Sequence, residues 1–245
     1  MDESLLTQVV DIQNDVRAAF GWPYEDDVKS ANGLYQLFQT SEPLGVPHWS
    51  NDARQYTLNQ IQDELRKARH IVLVGAATVK GDLNRQWPDG TSYIAADGAV
   101  GAFPDGIKPV CVVTDLDGAE HLDRAASAGV TLVVHAHGDN QHRWERLLPQ
   151  WAENGQPPLI LTHQTNDSYG GMHNPGGFTD GDRAACFLHW LGIDLNKVEL
   201  VGFSTGKIGS WSGSTDEEQK IRKLTWMRKI LECLHVDFRH FIAQE

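Results

Sequence analysis

Val112-Val113-Thr114-Asp115-Leu116-Asp117-Gly118, preceded by Pro109-Val110-Cys111, is an apolar run without alternation that stops at two carboxylates one residue apart and a glycine. Unbroken apolar residues mark a strand covered on both faces, as in the parallel sheets of α/β proteins. Ligands in such sheets bind beyond the carboxyl ends of the strands. Two carboxylates about 4 Å apart repel by roughly 4 kcal/mol at an effective dielectric near 20, a cost that a divalent cation removes. Asp115 and Asp117 are therefore candidate oxygen ligands of Mg²⁺, an ion that keeps several waters and adds substrate phosphates.

The flanking sequence repeats the pattern. Ile71-Val72-Leu73-Val74-Gly75, followed by Ala76-Ala77-Thr78, reads as a strand and small-residue turn of the kind that opens a nucleotide-binding domain. Gly75 has no second glycine at dinucleotide-fingerprint spacing, so the stretch from Gly75 to Thr78 reads either as a phosphate contact or as a plain tight turn. Tyr93-Ile94-Ala95-Ala96 forms the next strand and ends in Asp97-Gly98. Beyond the central strand, a short helix is predicted from about Glu120 to Ala128. Val130 to Val134 is a strand leading into His135-Ala136-His137-Gly138-Asp139-Asn140, and Pro158 to Thr162 leads into His163-Gln164-Thr165. Polar residues delivered by several strand ends are the mark of an active-site edge.

Tyr169 to Arg183 is a glycine-rich loop running into a helix with Ala184, Ala185, Phe187, Leu188 and Leu191. Thr179 or Asp180 can cap that helix. A cap accounts for one acid but not for Asp180, Asp182, Arg183 and four preceding glycines, and a helix N-terminus reached by flexible backbone is a natural anion site. Val198 to Phe203 is a further strand, followed by Ser204 to Ser210. A long amphipathic helix is predicted over 216–241, with Ile221, Leu224, Met227, Ile230, Leu231 and Leu234 on its apolar face. Lys220 and Lys223 lie in its first turns, against the preference of the helix dipole; they read as solvated surface or as partners of a phosphate.

The first 42 residues carry helical spacing in Leu5, Leu6, Val9, Val10, Ile12, Val16 and Phe20, broken at Gly21-Trp22-Pro23, with a second helix to follow. Ser41 to Trp49 reads as a linker or extended loop, and Trp22 and Trp49 beside prolines read as packing residues. A third helix runs from Asn51 through Leu58, Ile61 and Leu65. No chemistry is visible before it.

The 245 residues suffice for a full core, and a net charge of -12 argues against a nucleic-acid or anionic-membrane binder, which needs a basic footprint. Three widely spaced cysteines in apolar segments (Cys111, Cys186, Cys233) fit reduced, buried thiols. No apolar run reaches the roughly 18 residues of a membrane span, and the acidic N-terminus lacks a basic signal flank. A cytoplasmic location is expected.

Asp-Leu-Asp-Gly also suggests a haloacid-dehalogenase-type phosphatase, but two strands precede the motif and Ala119 follows where that family usually has Thr. His135-x-His137-x-Asp139 partly matches the zinc motif of metallo-β-lactamase-type hydrolases, with Asn140 where a metal-binding His is needed. The simpler alternative is that His135 and His137 hydrogen-bond nearby carboxylates.

In combination, order and spacing, Thr114-Asp115-Leu116-Asp117-Gly118, His135-Ala136-His137-Gly138-Asp139-Asn140, Thr162-His163-Gln164-Thr165 and Gly177-Phe178-Thr179-Asp180-Gly181-Asp182-Arg183 resemble the archaeal 6-hydroxymethyl-7,8-dihydropterin pyrophosphokinase family. The resemblance runs from about Ile71 to Lys223. Two departures stand out: relatives carry Gly-x-Gly-Pro-Ser at the first turn, where this chain has Gly75-Ala76-Ala77-Thr78-Val79, and an Asp where Ser204 stands.

The resemblance implies a Rossmann-like, mostly parallel α/β sheet similar to the thiamine pyrophosphokinase catalytic domain. It divides the chain into a helical region 1–65 and a catalytic domain 66–245 that ends in the helix 216–241. It implies Mg²⁺-dependent transfer of pyrophosphate from ATP to the reduced pterin, with release of AMP. On these residues it implies a metal set of Asp115, Asp117, Asp139, Asp180 and Asp182, of which Asp115, Asp117, Asp139 and Asp182, with Arg183, carry the catalytic work. Gly75, Thr78, Asp97, Asn140, Gly181, Arg183, Lys207, Lys220 and Lys223 would hold ATP and its phosphates, and Gln164, Thr165, Asn174 and Phe178 the pterin. The expected partners are these small molecules, with a homodimer as the common default. Thiamine pyrophosphokinase is the alternative enzyme, and a nucleotide-binding sensor or interaction module the non-enzymatic one.

Overall fold

Each long apolar run forms a strand in the computed structural model, which describes residues 3–79, 81–213 and 216–236. The strands are β1 (His70–Val74), β2 (Thr91–Ala96), β3 (Cys111–Thr114), β4 (Thr131–Ala136), β5 (Leu159–His163), β6 (Met172–His173) and β7 (Val198–Val201). They pair in the order β6-β5-β4-β3-β2-β1-β7, every pairing parallel. Ala95 lies opposite Val112, Val112 opposite Leu132, and Val74 opposite Val201. The chain steps in one direction from β1 to β6 and then returns to place β7 against β1. The direction of winding therefore changes between β1 and β7, where open α/β sheets bind ligands.

Side chains alternate across the sheet, so neighbours in one strand enter different cores. Ile71, Leu73, Cys111, Val113 and Val133 face α1 (Glu3–Phe20), α3 (Asn51–Lys67), α6 (Asp180–Trp190) and α7 (Glu217–Cys233). Ala95, Val112, Leu132 and Val134 face α2 (Tyr24–Leu37), α4 (Ala119–Ser127) and α5 (Gln141–Glu153), and Trp49 is buried among them. The N-terminal helices α1 and α3 thus share one apolar cluster with the sheet. The expected Rossmann-like α/β architecture, with N-terminal helices and a long C-terminal helix, is the one observed.

Three elements differ from the sequence expectation. Helix α5 carries Pro149 inside it, a residue that ordinarily breaks the helical pattern, yet Trp144, Leu147, Leu148 and Trp151 form a continuous buried face. Strand β6 is an edge of two residues, too short for any periodicity. The C-terminal helix ends at Cys233, capped at Leu234, earlier than the expected 241; residues 237–241 lie outside the described residues. No helix among the described residues is long and apolar enough to cross a membrane.

Candidate active site

Strand β3 ends at Thr114, and the residues after it do not simply continue the pleat. Leu116 takes φ 74° and is buried, which sends its side chain into the core and leaves Asp115 and Asp117 on the open side. The Thr114 hydroxyl accepts the Leu116 N–H at 2.7 Å and donates to Asp97, so one side chain shapes this turn and ties it to the end of β2. Asp97 itself has φ 46°, and Ala119 φ 50°. Left-handed backbone at residues other than glycine costs about 1–3 kcal/mol each and gathers at functional sites. Asp180 joins from the first turn of α6. Carboxylate oxygens of Asp97, Asp115, Asp117 and Asp180 lie within 4.8 Å of one another.

Crowded acids resist ionisation together. Burial, reinforced by Asp180 and Asp117, pushes Asp97 well above the carboxylate range. Burial and the charge of Asp115 push Asp180 up to about 7, against the pull of Arg183. Asp115 goes the other way: burial would raise it, but the hydrogen bond and charge of His137, with Arg183 and Arg143, hold it well below the usual range.

The cationic side of the site is built from α5, α6 and the loop after β4. Arg183 Nη1 stands 3.3 Å from Asp180 Oδ1 and 3.8 Å from Asp115 Oδ2. Arg143 Nη1 lies 3.5 Å from Asp115 Oδ1 and 3.8 Å from Asp117 Oδ2. His137 bridges Asp115 (3.2 Å) and Asp139 (3.0 Å); burial lowers its pKa, but these two bonds outweigh burial and bring it to about 8. The hydrogen-bonding role foreseen for His137 is thus observed, whereas His135 meets Thr162 and Gln164 rather than a carboxylate. Arg143 escaped the sequence reading because the helix bearing it did; its place three residues after Asn140 was the available signal.

Several expected site residues lie outside the carboxylate group or bond within the protein. Asp139 is 70% exposed and reaches the cluster only through His137, whose hydrogen bond holds its pKa at about 2. Asp182 is fully buried and accepts from the N–H groups of Phe178 (2.5 Å) and Thr179 (2.9 Å) and from the Thr179 hydroxyl; it belongs to the capping box of α6, not to the metal group. Asn140 gives its amide hydrogens to the carbonyls of Asp115 and His135 and accepts from His137 N–H and the Ser30 hydroxyl, which leaves no hydrogen-bonding position for a phosphate. Thr78 directs its hydroxyl to the carbonyls of Gly75 and Val201. At Gly75, a Cβ would stand 2.7 Å from the Gly202 carbonyl oxygen, so that glycine permits β1 and β7 to close. Asp97, expected among the phosphate contacts, is instead a member of the carboxylate group. Asn174 donates its amide hydrogen to the Thr165 carbonyl and accepts from Gln13, the Thr165 hydroxyl meets His163 Nδ1, and both residues line a separate recess with His163, Tyr169 and Trp190.

Two recesses meet at the carboxylates, and both are lined by Asp117, Thr179, Asp180 and Lys220. One lies at the β1/β7 switch point between the backbone of Gly75 to Ala77 and Gly181, with Lys207, Trp211, Leu224 and Met227 around it. The other is bordered by Trp22, Phe178, Gln164, Arg183 and Lys223. Trp22 packs as expected, stacked on Phe20 at 4.7 Å and 5.9 Å from Phe178, with Lys223 Nζ 5.3 Å from its ring centre, and it also borders this recess.

The donor set fits a hard divalent cation. It is all carboxylate oxygen, Asp115 Oδ1 is buried without a hydrogen-bond donor, and the suppressed ionisation of Asp97 and Asp180 is the repulsion such an ion relieves.

No protein-family model matches the chain, and no solved structure does. Three curated proteins do, each named 6-hydroxymethyl-7,8-dihydropterin pyrophosphokinase. The protein from Pyrococcus furiosus is 41% identical over 166 residues, 64% of this chain and 66% of its own length. That from Methanothermobacter thermautotrophicus is 39% identical over 48% of each chain. That from Methanocaldococcus jannaschii is 28% identical over 90% of this chain and 92% of its own. The match thus spans slightly under two thirds of the first of these relatives and about half of the second. At the level of the family, the chain is homologous to the archaeal 6-hydroxymethyl-7,8-dihydropterin pyrophosphokinases.

Proposed function

We propose that this protein transfers pyrophosphate from ATP to 6-hydroxymethyl-7,8-dihydropterin in a Mg²⁺-dependent reaction, giving the pterin diphosphate and AMP. The observation that carries the reading is the group of four carboxylates where two recesses meet, in a chain homologous to proteins of that name. Asp97, Asp115, Asp117 and Asp180 would hold the ion, which when bound offsets the charge of the polyphosphate.

The recess at the switch point suits the nucleotide: glycine backbone and Lys207 beside the phosphates, Leu224 and Met227 against the base. The recess between Trp22 and Phe178 suits a flat heterocycle. In the reaction the hydroxymethyl oxygen bonds to the β-phosphorus as the bond from that phosphorus to the α,β-bridging oxygen breaks, and AMP leaves. Lys220, at both recesses, and Arg183 stabilise charge developing on the phosphoryl oxygens. Asp180, which also faces both recesses, takes the alcohol proton.

The test is to incubate the protein with ATP, Mg²⁺ and either the reduced hydroxymethylpterin or thiamine and to measure AMP. AMP formed with the pterin, and abolished by a chelator, is the expected result. AMP formed with thiamine alone, or with neither, would refute it.

A further inference from the structure

Asp27, on α2, is buried at 4% exposure and lies outside the acidic group, yet four protein contacts converge on its carboxylate. Arg17 Nη1 of α1 donates at 2.8 Å and the Gly138 N–H at 2.8 Å. Gln164 Nε2 donates to both oxygens, at 3.0 and 2.9 Å. A carboxylate only accepts, so it turns the amide nitrogen of Gln164 toward itself and the amide oxygen away. That oxygen accepts from Arg183 Nη2 and from His135 Nε2, both at 3.2 Å. An arginine only donates. A carboxamide is the neutral side chain whose two ends satisfy an acceptor on one side and a donor on the other, so Asp27 and Arg183 are matched through Gln164.

The second arm of the same carboxylate reaches the loop that carries His137. Gly138 N–H is held by Asp27, and a Cβ on Gly138 would stand 2.9 Å from Asp26 Cβ, so the loop lies directly on α2. His137 and Arg183 both reach Oδ2 of Asp115, at 3.2 and 3.8 Å, while Arg143 lies against Oδ1.

We propose that Asp27 is a positioning residue for phosphoryl transfer: through Gln164 it aims Arg183, and through Gly138 it places His137 against Asp115. The assignment rests on the role given to Arg183 under the proposed function. It makes the N-terminal helices part of the working site rather than an appendage.

The test uses Asp27→Asn, Gln164→Glu and the double variant, with Asp26→Asn as a charge control on the exposed neighbour. Asp27→Asn sets an amide nitrogen against donors. Combining it with Gln164→Glu exchanges the two ends at unchanged net charge: the introduced amide nitrogen donates to the introduced carboxylate, which in turn accepts from Arg183, and the amide oxygen keeps one of the two remaining donors, Arg17 or the Gly138 N–H. The expected result is a fall in kcat of about ten- to a hundredfold for Asp27→Asn, with KM for the pterin little changed, and recovery to within about threefold of wild type in the double variant. Asp26→Asn stays at wild-type rate. Full kcat in folded Asp27→Asn, or a double variant as slow as the single, would overturn the proposal.

Affinity for the α,β-methylene analogue of ATP with Mg²⁺, measured by calorimetry, reads the same geometry without turnover. A loss in Asp27→Asn regained in the double variant supports the positioning role even if the pterin reaction itself fails. Equal affinity in all variants refutes that role independently of which alcohol is the substrate.

Discussion

Thr114 donates its hydroxyl hydrogen to Asp97, tying the carboxyl ends of β3 and β2 together at the centre of the acidic group. The bond holds a carboxyl group whose burial and acidic neighbours favour its neutral form in the ion-free protein. Asp97 also sits at φ 46°, a backbone region that asparagine tolerates better than most residues. The carboxylate group therefore holds a repulsion that a bound cation would relieve.

Asp97→Asn tests that repulsion directly. It keeps an acceptor for Thr114 and replaces a carboxyl group that stays neutral among its acidic neighbours only by holding a proton with one that is neutral at every pH, so the ion-free protein should melt at the wild-type temperature or above. Affinity for Mn²⁺, read by calorimetry, should fall about tenfold or more. A variant that loses stability without losing cation affinity would contradict the assignment.

Asp117→Asn should leave the circular dichroism spectrum and melting temperature close to wild type, since its carboxylate is partly exposed and its nearest cation, Arg143, is 3.8 Å away. Turnover should fall at least about a hundredfold if the residue positions the ion, because 1.36 kcal/mol of transition-state stabilisation is already tenfold in rate.

Cation binding should strengthen as pH rises from 6 to 8. Asp180 holds its proton up to about pH 7, burial and acidic neighbours push Asp97 well above the carboxylate range, and an ion must displace both protons. Calorimetry at pH 6.5 in two buffers of different ionisation enthalpy should give different apparent heats. Identical heats would mean that no proton is released.

The chelator-treated protein should lose stability as pH rises above about 6.5; below that, the loss from Asp180 is opposed by His135 and His163, which burial keeps from protonating in the folded state. Asp180 binds its proton more tightly in the folded state than its ordinary value of 3.8, so its share is lost between about pH 4 and 7. His137, raised from 6.5 to about 8 by Asp115 and Asp139, contributes stability that is complete below pH 6.5 and gone above about 8. Urea denaturation from pH 6.5 to 8.5 should show this decline in wild type and a flatter profile in His137→Gln.

Asp182→Ala should act on the fold. It removes the acceptor of two backbone N–H groups and one hydroxyl at the start of α6, at a fully buried position. A loss of about 1–3 kcal/mol in urea denaturation is expected. An unchanged midpoint would show that the cap is not formed in solution.

The sheet was legible because a strand covered on both faces must be apolar throughout, and Ile71 to Val74, Cys111 to Thr114 and Leu132 to Val134 satisfy that without any knowledge of their neighbours. Asp115 and Asp117 were legible for the same reason: charged groups at a buried strand's end are conspicuous. Helix α5 was hidden by Pro149, and Arg143 went with it.

What the chain alone determined is the set of strands, the edge at which their polar ends gather, and the residue types available there. Which acids come together was decided only by folding. Asp97 and Asp180 come from segments far apart in the chain and meet because β2 lies beside β3 and α6 starts above both; Asp182, two residues from Asp180, turns away and caps its own helix. Sequence spacing records how far apart residues are along the backbone, whereas electrostatic repulsion and coordination depend on separation in space, and only the tertiary packing sets that.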